Sequence, residues 1–278
     1  MSRLPVAVVI PCFNDGATLM DAVQSAQAQC PDELVVVDDG STDPRTLQCF
    51  TELEGRGVRV VHQDNQGLAA ARMAGVEATT SALIMVLDSD DLLAPGALHA
   101  MASALSGNPE LAVVWGDIER FGTAGYLRYP KARVLDPWRI SHLNELVAST
   151  MVRRSALIEA GGWTLRTPFE DWDLWMAMAE RGMRGRHVGI TTLLYRVDEP
   201  RMYRGALKAY PHLVRTLKSR HPRLFRNRAR LRKTANAGWL LKVAWTGIDV
   251  VPLPQRAKRY LYFGSLIACE PSRRRRKR

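Results

Sequence analysis

The chain has 278 residues, of which 46% are hydrophobic and 24% charged, as in an ordinary soluble protein with a sizeable buried core. Residues 1–200 contain 17 Lys and Arg against 26 Asp and Glu, whereas residues 201–278 contain 22 against 2. The net charge of +11 therefore comes from the C-terminal part alone. An anionic ligand of the first 200 residues would need a cation or a helix amino end to bind there.

Composition also argues against a secreted or membrane-spanning protein. The four cysteines, at positions 12, 30, 49 and 269, have no paired metal-ligand spacing, and we expect reduced thiols in a cytosolic protein. Residues 1–9 hold too short an apolar run for a signal peptide, and no stretch of the sequence is apolar enough to cross a bilayer.

Strand-type and helix-type segments alternate over the first 115 residues. We predict strands at 6–10, 34–37, 58–61, 83–87 and 112–115, and helices near 18–28, 45–54, 68–78 and 97–105. This alternation predicts an α/β fold with an open, mostly parallel sheet flanked by helices. In such sheets, ligands bind beyond the carboxyl ends of the strands.

The most informative segment is the end of the predicted strand 83–87, where Asp88, Asp90 and Asp91 follow an apolar run. Crowded carboxylates repel each other unless a cation lies among them, and Mg²⁺ or Mn²⁺ with oxygen ligands is the natural partner. Alternatively, Asp91 caps a helix that begins at Pro95 and Gly96, but a cap explains only one of the three residues.

A second strand ends in acidic residues at Asp38 and Asp39, followed by Gly40 and Ser41. A turn with a helix cap would account for one of the two carboxylates. Neither the dinucleotide-binding pattern G-x-G-x-x-G nor the phosphate-loop pattern G-x-x-x-x-G-K-[ST] occurs in the chain. Phosphates at this edge of the sheet would therefore be held by a metal rather than by a glycine loop.

Five segments in order, at 8–15, 37–43, 65–72, 87–91 and 169–175, resemble glycosyltransferase family 2, which has the A-type (GT-A) nucleotide-sugar fold. The similarity covers about residues 5–200. We therefore divide the chain into a catalytic domain at 1–200, a basic helical extension at 201–270 and a disordered polybasic tail at 271–278.

The resemblance implies a site for a nucleotide-diphosphate sugar, with a UDP-sugar favoured. The residues that it places at the donor are Pro11, Asn14, Asp38, Asp39, Arg72, Asp88 and Ser89. By similarity Asp90, in the Asp-x-Asp motif, would bind Mg²⁺ or Mn²⁺. Many members carry a His after Tyr-Arg as a further metal ligand, and here Asp198 occupies that position. Either Asp198 replaces that His, or the metal has fewer protein ligands; His187 is a weaker alternative.

The resemblance also places a general base at Asp171, near the start of a predicted helix over 172–180. Acidic residues are common in a first helical turn for electrostatic reasons, which would account for Glu170 and Asp173. A single base suits direct displacement with inversion at the anomeric carbon. The expected reaction transfers one sugar to a hydroxyl of a cell-surface glycan or lipid-linked precursor.

Beyond residue 200, apolar residues recur at helical spacing between basic ones, as at Leu213, Leu217, Trp239 and Val243. Such helices either lie on an anionic membrane or pack on the acidic domain by their apolar faces. We favour peripheral attachment at the cytoplasmic face of a membrane. The alternative function is a nucleic-acid-binding or scaffolding protein with a vestigial nucleotide-sugar fold, although no nucleic-acid-binding motif is recognised.

Overall fold

The computed structural model describes residues 4–122, 127–129, 132–197 and 201–269, with backbone alone at 127–129 and 201–208. Within these ranges one sheet contains nine strands: β1 Val6–Cys12, β2 Glu33–Asp39, β3 Arg59–Gln63, β4 Leu83–Val86, β5 Leu92–Leu93, β6 Leu111–Phe121, β7 Leu127–Tyr129, β8 Met151–Arg153 and β9 Arg184–Arg196.

Helices flank the sheet and continue beyond it. They are α1 Leu19–Gln27, α2 Pro44–Gly55, α3 Leu68–Glu77, α4 Ala97–Ser106, α5 Pro137–Ile140, α6 Arg154–Ala160, α7 Glu170–Glu180, α8 Arg201–Arg220, α9 Pro222–Arg226, α10 Arg228–Thr234, α11 Trp239–Val250 and α12 Gln255–Cys269. The first four helices alternate with strands as predicted, which is the pattern of parallel β-α-β units.

The strand order is β3-β2-β1-β4-β8-β6-β9-β5, with β7 paired to β6. The first four strands are parallel, and β6 and β9 are parallel to each other. β8 runs antiparallel to both β4 and β6, and β5 and β7 are also antiparallel to their neighbours. The predicted α/β fold with a flanked sheet is confirmed. The sheet as a whole is mixed rather than mostly parallel, because four of its strand pairs are parallel and four are antiparallel in the described residues.

The register brings the carboxyl ends of the parallel strands to one edge. Cys12 lies opposite Asp38, and Asp38 lies opposite His62 in β3. β4 ends at Val86, opposite Val9, so the acidic segment after it starts at the same edge. We call this edge, formed by residues 12–16, 38–41, 63–67 and 87–91, the acidic rim.

Alternate residues of each strand belong to two hydrophobic clusters on opposite faces of the sheet, because successive side chains of a strand point to opposite faces. On one face, Val9 and Val37 belong to a cluster that includes side chains of α3, α6, α7 and α8. On the other face, Val8 and Val36 belong to a cluster that includes side chains of α1, α2 and α4. The sheet is therefore covered on both sides, and its carboxyl edge is where strands give way to loops.

The basic C-terminal helices pack on the rest of the chain. Side chains of α8 join the same cluster as α7, among them Tyr210 and Leu217. A third cluster joins Leu241 and Trp245 of α11 to Trp138 of α5 and to side chains of α12. These inward-facing side chains therefore pack on the rest of the chain, which is one of the two arrangements that the sequence left open. Among the described residues, no helix has both the length and the apolar character needed to cross a membrane.

Candidate active site

The loops after β1 and β2 are joined by Asn14, which adopts a left-handed backbone conformation with φ 53°. Asparagine tolerates this region better than most residues. Its Oδ1 accepts hydrogen bonds from the backbone N–H of Thr42 at 2.7 Å and of Asp43 at 2.8 Å. Its own backbone N–H donates to Ser41 Oγ at 3.0 Å. Pro11 is buried in β1, opposite Val37.

Asp38 binds both the loop after β2 and the neighbouring strand β3. Its Oδ1 accepts from the Ser41 backbone N–H at 2.7 Å, and its Oδ2 accepts from His62 Nδ1 at 2.9 Å. That hydrogen bond raises the pKa of His62. Both oxygens therefore bind protein groups, and a contact of Asp38 with the donor stays a prediction.

Asp39 fixes the loop that leads into α3. Its Oδ1 accepts from Gln63 Nε2 at 2.7 Å and from the Gln66 backbone N–H at 2.8 Å, and its Oδ2 accepts from the Gly67 N–H at 2.9 Å. The side chain is buried, with three protein donors. The contact of Asp39 with the nucleotide-sugar donor stays a prediction.

Arg72 of α3 links the acidic rim to α7. The residue is 1% exposed. Its Nη2 donates to Asp88 Oδ1 at 2.7 Å and its Nη1 donates to Glu170 Oε1. Burial opposes the guanidinium charge, but the charges of Asp88 and Glu170 outweigh it and raise the Arg72 pKa. A single buried cation thus holds the acidic rim against the start of α7.

Ser89 and Asp90 complete the rim. Ser89 Oγ donates to Asp15 Oδ2 at 2.8 Å, which fixes Asp15 beside the motif. Asp90 is exposed at the surface. Partial loss of water around its carboxyl, together with the negative charges of Asp88 and Asp15, raises its pKa to about 6. The rim therefore carries more negative charge than Arg72 neutralises.

This donor set fits a hard divalent cation. Carboxylate oxygens are the ligands that Mg²⁺ and Mn²⁺ prefer, and Asp88, Asp90 and Asp15 bring three carboxylates to this part of the rim. Over the described ranges, no three His, Cys, Asp or Glu side chains are already grouped as a metal site. Asp198, the second predicted ligand, lies outside the described residues.

Asp91 is structural, and the helix-cap interpretation is wrong. Its Oδ1 accepts from the Arg196 backbone N–H at 3.0 Å, while Gly96, with φ 75°, precedes α4. Arg196 also donates from Nε to the Asp90 carbonyl at 2.9 Å and lies 4.7 Å from the centre of the Phe121 ring. Arg196, at the end of β9, therefore binds Asp90 and Asp91 of the acidic rim. The sequence pattern did not predict this contact.

His187 is not placed to bind a metal. Its Nδ1 accepts from the Gly189 backbone N–H at 2.8 Å, so its Nε2 carries the proton that is donated to Asp117 Oδ1 at 2.8 Å. Both ring nitrogens are buried in contacts between β9 and β6. The alternative that His187 serves as a ligand is therefore rejected.

Asp171 lies in the first turn of α7, which begins after Phe169 in a left-handed conformation. Asn144 Nδ2 donates to Asp171 Oδ2 at 3.0 Å. Loss of water around the carboxyl and the charge of Glu170 raise the pKa of Asp171 to about 7. A carboxylate that exchanges its proton near neutral pH is suited to general-base catalysis.

The other two carboxylates of this turn are held by cations. Glu170 is paired with Arg72, as described above. Asp173 accepts from Arg220 Nε at 2.7 Å and from His221 Nε2 at 2.8 Å. These bonds lower the Asp173 pKa although burial alone would raise it. Of the three, Asp171 is the one whose described hydrogen-bond donors are neutral.

Sequence reasoning did not find Asn144, because the segment around it matches no recognised motif. It also assigned no donor or metal role to Asp15, although it placed this residue at the carboxyl end of a strand. The hydrogen bond between Asp15 and Ser89 spans 74 residues of sequence, so local patterns carry no signal for it.

The model of the family described as Glycosyl transferase family 2 matches residues 7–168, which is more than half of the chain. The chain therefore belongs to this family. The succinoglycan biosynthesis protein ExoU of Rhizobium meliloti is 34% identical over 146 residues, which are 47% of this chain and 40% of ExoU. The chain spans 14% to 40% of the length of the first curated relatives that it matches.

Two solved structures have the same fold. TarS 1–349 of S. aureus, in complex with UDP-GlcNAc, superimposes with a TM-score of 0.63 at 16% identity over 95% of this chain and 73% of that one. Mannosyltransferase PcManGT of Pyrobaculum calidifontis, in complex with GDP-Man and Mn²⁺, has a TM-score of 0.60 at 17% identity over 98% and 87%. The GT-A fold is confirmed.

Proposed function

We propose that the protein is an inverting, metal-dependent glycosyltransferase that moves one sugar from a nucleotide-diphosphate sugar to a hydroxyl acceptor. The contacts of Arg72 carry this proposal. Arg72 binds Asp88 of the donor-side motif and Glu170, the residue before Asp171. The proposed donor side and the proposed base are therefore held next to each other by one buried ion-pair network.

In this mechanism Asp171 accepts the proton of the acceptor hydroxyl as its oxygen attacks the anomeric carbon. The bond from that carbon to the diphosphate breaks, and the nucleoside diphosphate leaves from the opposite side, which inverts the configuration. Asn144 holds the Asp171 carboxylate in place through its 3.0 Å hydrogen bond. The loops fixed by Asn14, Asp38 and Asp39 would bind the nucleotide.

The proposed metal ligands are Asp90 and Asp198, and a bound Mg²⁺ or Mn²⁺ would neutralise the leaving diphosphate. Asp88 and Ser89 would contact the donor beside it. The Mn²⁺ bound with GDP-Man in PcManGT supports this choice of cofactor. The UDP-GlcNAc in TarS supports a UDP-sugar as the favoured donor.

For the acceptor we propose a cell-surface glycan or a lipid-linked precursor. The role in succinoglycan biosynthesis given by the name of ExoU supports polysaccharide synthesis. We place the enzyme in the cytoplasm, peripheral at the cytoplasmic face of the membrane. The basic composition of residues 201–278 supports this location, because about 1 kcal/mol of attraction is gained per basic residue at an anionic surface.

A thermal-shift panel tests donor binding. UDP-, GDP- and dTDP-sugars are added to the full-length chain with Mn²⁺, with Mg²⁺ or with EDTA. We expect one nucleotide class to raise the melting temperature with metal and to lose most of that effect in EDTA. If no sugar nucleotide stabilises the protein while RNA or DNA does, the proposal fails and the nucleic-acid-binding alternative replaces it.

A further inference from the structure

The helical hairpin α11–α12 is apolar on the side that faces solvent as well as on the side that is buried. In α11, Leu241 and Trp245 are fully buried. The opposite face carries Trp239, Val243 and Val250, which are 72%, 61% and 78% exposed. These residues, four and seven positions apart, form one stripe along the helix.

α12 repeats this arrangement. Tyr262 and Leu266 are buried in the cluster shared with α11, and Trp245 Nε1 donates to Ser265 Oγ at 2.9 Å between the helices. The outward side presents Tyr260, Leu261 and Phe263, all exposed. Contiguous exposed apolar surface on a protein marks an interaction site.

The charge of this region identifies the kind of surface that covers it. Residues 201–278 carry 22 basic and 2 acidic side chains, and Lys242 and Arg256 lie within the two helices themselves. A second copy that met this face with its own hairpin would bring the same positive charge to the contact and be repelled. An anionic lipid surface offers both an apolar interior and opposite charge.

We infer that the hairpin is the membrane-binding element and that its outward stripe, Trp239, Leu240, Val243, Tyr260 and Phe263, enters the boundary between headgroups and acyl chains. Trp and Tyr favour this boundary because each has an apolar ring and a polar group. The predicted peripheral location was argued from basic charge and helical spacing. The structure assigns the apolar part of the binding to a particular surface.

This surface is connected to the candidate active site through α8. Arg259 of α12 lies 5.5 Å from the ring centre of Tyr210 in α8. Arg220 at the end of α8 binds Asp173 of α7, two residues from Asp171. If the proposed function is right, binding through the hairpin fixes the position of Asp171 relative to the bilayer and suits a lipid-linked acceptor. The membrane binding itself does not depend on the transfer reaction.

The test is flotation of the full-length protein with vesicles of phosphatidylglycerol and phosphatidylcholine. We expect wild-type chain to float with them and the triple variant Trp239→Ser, Leu240→Ser, Val243→Ser to partition about tenfold more weakly or worse, since three apolar side chains no longer leave water. Ile158→Ser is the matched control, because Ile158 is 61% exposed on α6. It should float like wild type.

Raising the salt concentration separates the apolar from the electrostatic part. Some wild-type binding should survive at 1 M salt, where the Debye length is ~3 Å, while the triple variant should lose all of it. A second variant, Tyr260→Ser with Phe263→Ser, should show the same defect from the other helix. Donor-dependent thermal shifts should be unchanged in both variants, so a failure of the donor hypothesis stays distinguishable.

Three outcomes would overturn the inference. In the first, the triple variant floats as well as wild type. In the second, wild type ignores anionic vesicles at low salt or binds RNA in their place. In the third, light scattering shows a dimer that the triple variant converts to monomer, which would make a second copy the partner of this face.

Discussion

Asp171 and Asp90 carry different parts of the proposed chemistry, and single substitutions separate them. Asp171 lies in the first turn of α7 and accepts a hydrogen bond from Asn144. Asp90 lies on the acidic rim, where loss of water and the charges of Asp88 and Asp15 raise its pKa to about 6. A substitution of Arg72 would not separate these roles, because Arg72 binds both Asp88 and Glu170 and its loss would leave both carboxylates without this partner.

Asp171→Asn keeps the shape of the side chain and removes its ability to accept a proton. We expect the transfer rate to fall by ~10²–10⁴-fold with donor affinity nearly unchanged. Turnover and donor binding are measured separately, with Glu159→Gln, an exposed carboxylate on α6, as control. Full activity in Asp171→Asn would show that the base lies elsewhere.

The pH profile tests the same assignment without removing the base. A base with its pKa raised to about 7 is protonated and inactive below that pH, so the rate should rise with pH through the neutral range. Asn144→Ala removes a donor that favours the ionised form, which raises the pKa of Asp171 further. The rising limb should move up by about one pH unit. An unchanged limb with a lower rate would indicate that Asn144 has another role.

Asp90→Ala should abolish the metal dependence of donor binding and lower turnover by ~10²-fold or more, because no cation then neutralises the leaving diphosphate. Donor affinity, measured by calorimetry with Mn²⁺ and with EDTA, should become the same in both. Glu159→Ala is the control with an equal loss of charge. A variant that still responds to Mn²⁺ like wild type would remove Asp90 from the proposed metal site.

For single residues, the sequence predicts correctly which acidic side chains lie at the carboxyl edge of the sheet, because parallel strands bring their carboxyl ends to one edge. Asp38, Asp39 and Asp88 lie there as expected. The partners of those residues depend on contacts that are distant in sequence. Neither the pairing of Arg72 with Glu170, 98 residues apart, nor the hydrogen bond from Asn144 to Asp171 leaves a periodic signal.

Among the elements, the predictions hold where helices alternate with strands and are incomplete where they do not. β8 and β5 have three and two residues, too few to show a hydrophobic period. The antiparallel pairing of β8 between β4 and β6 therefore follows from the tertiary fold rather than from local pattern.

Helix α8 belongs to the core of the preceding region. Leu217 is fully buried in the cluster that contains Trp172 and Leu174 of α7. Leu217→Ala should lower the free energy of unfolding by ~2–5 kcal/mol and shift one cooperative transition. Denaturant unfolding followed by tryptophan fluorescence measures this, with Arg215→Ala, an exposed residue of the same helix, as control. A separate transition for the C-terminal helices would instead show an independent domain.

Across the whole molecule, the acidic and basic parts of the chain contain different proposed functional surfaces. The acidic part of the chain, residues 1–200, contains the rim and Asp171, and the basic part adds the hairpin with its outward apolar stripe. Net charge can be computed from sequence, but which apolar residues of an amphipathic helix face inward cannot. Leu241 and Trp245 turn to the core, while Leu240 and Trp239 beside them face solvent.

The most direct test of the central claim is donor turnover, followed as release of nucleoside diphosphate with water as the acceptor. With Mn²⁺ or Mg²⁺ present, we expect wild type to release it slowly. Asp171→Asn should bind the donor without releasing the diphosphate, and Asp90→Ala should neither release it nor bind with metal dependence. Equal release by wild type and both variants, or release that EDTA leaves unchanged, would contradict the account.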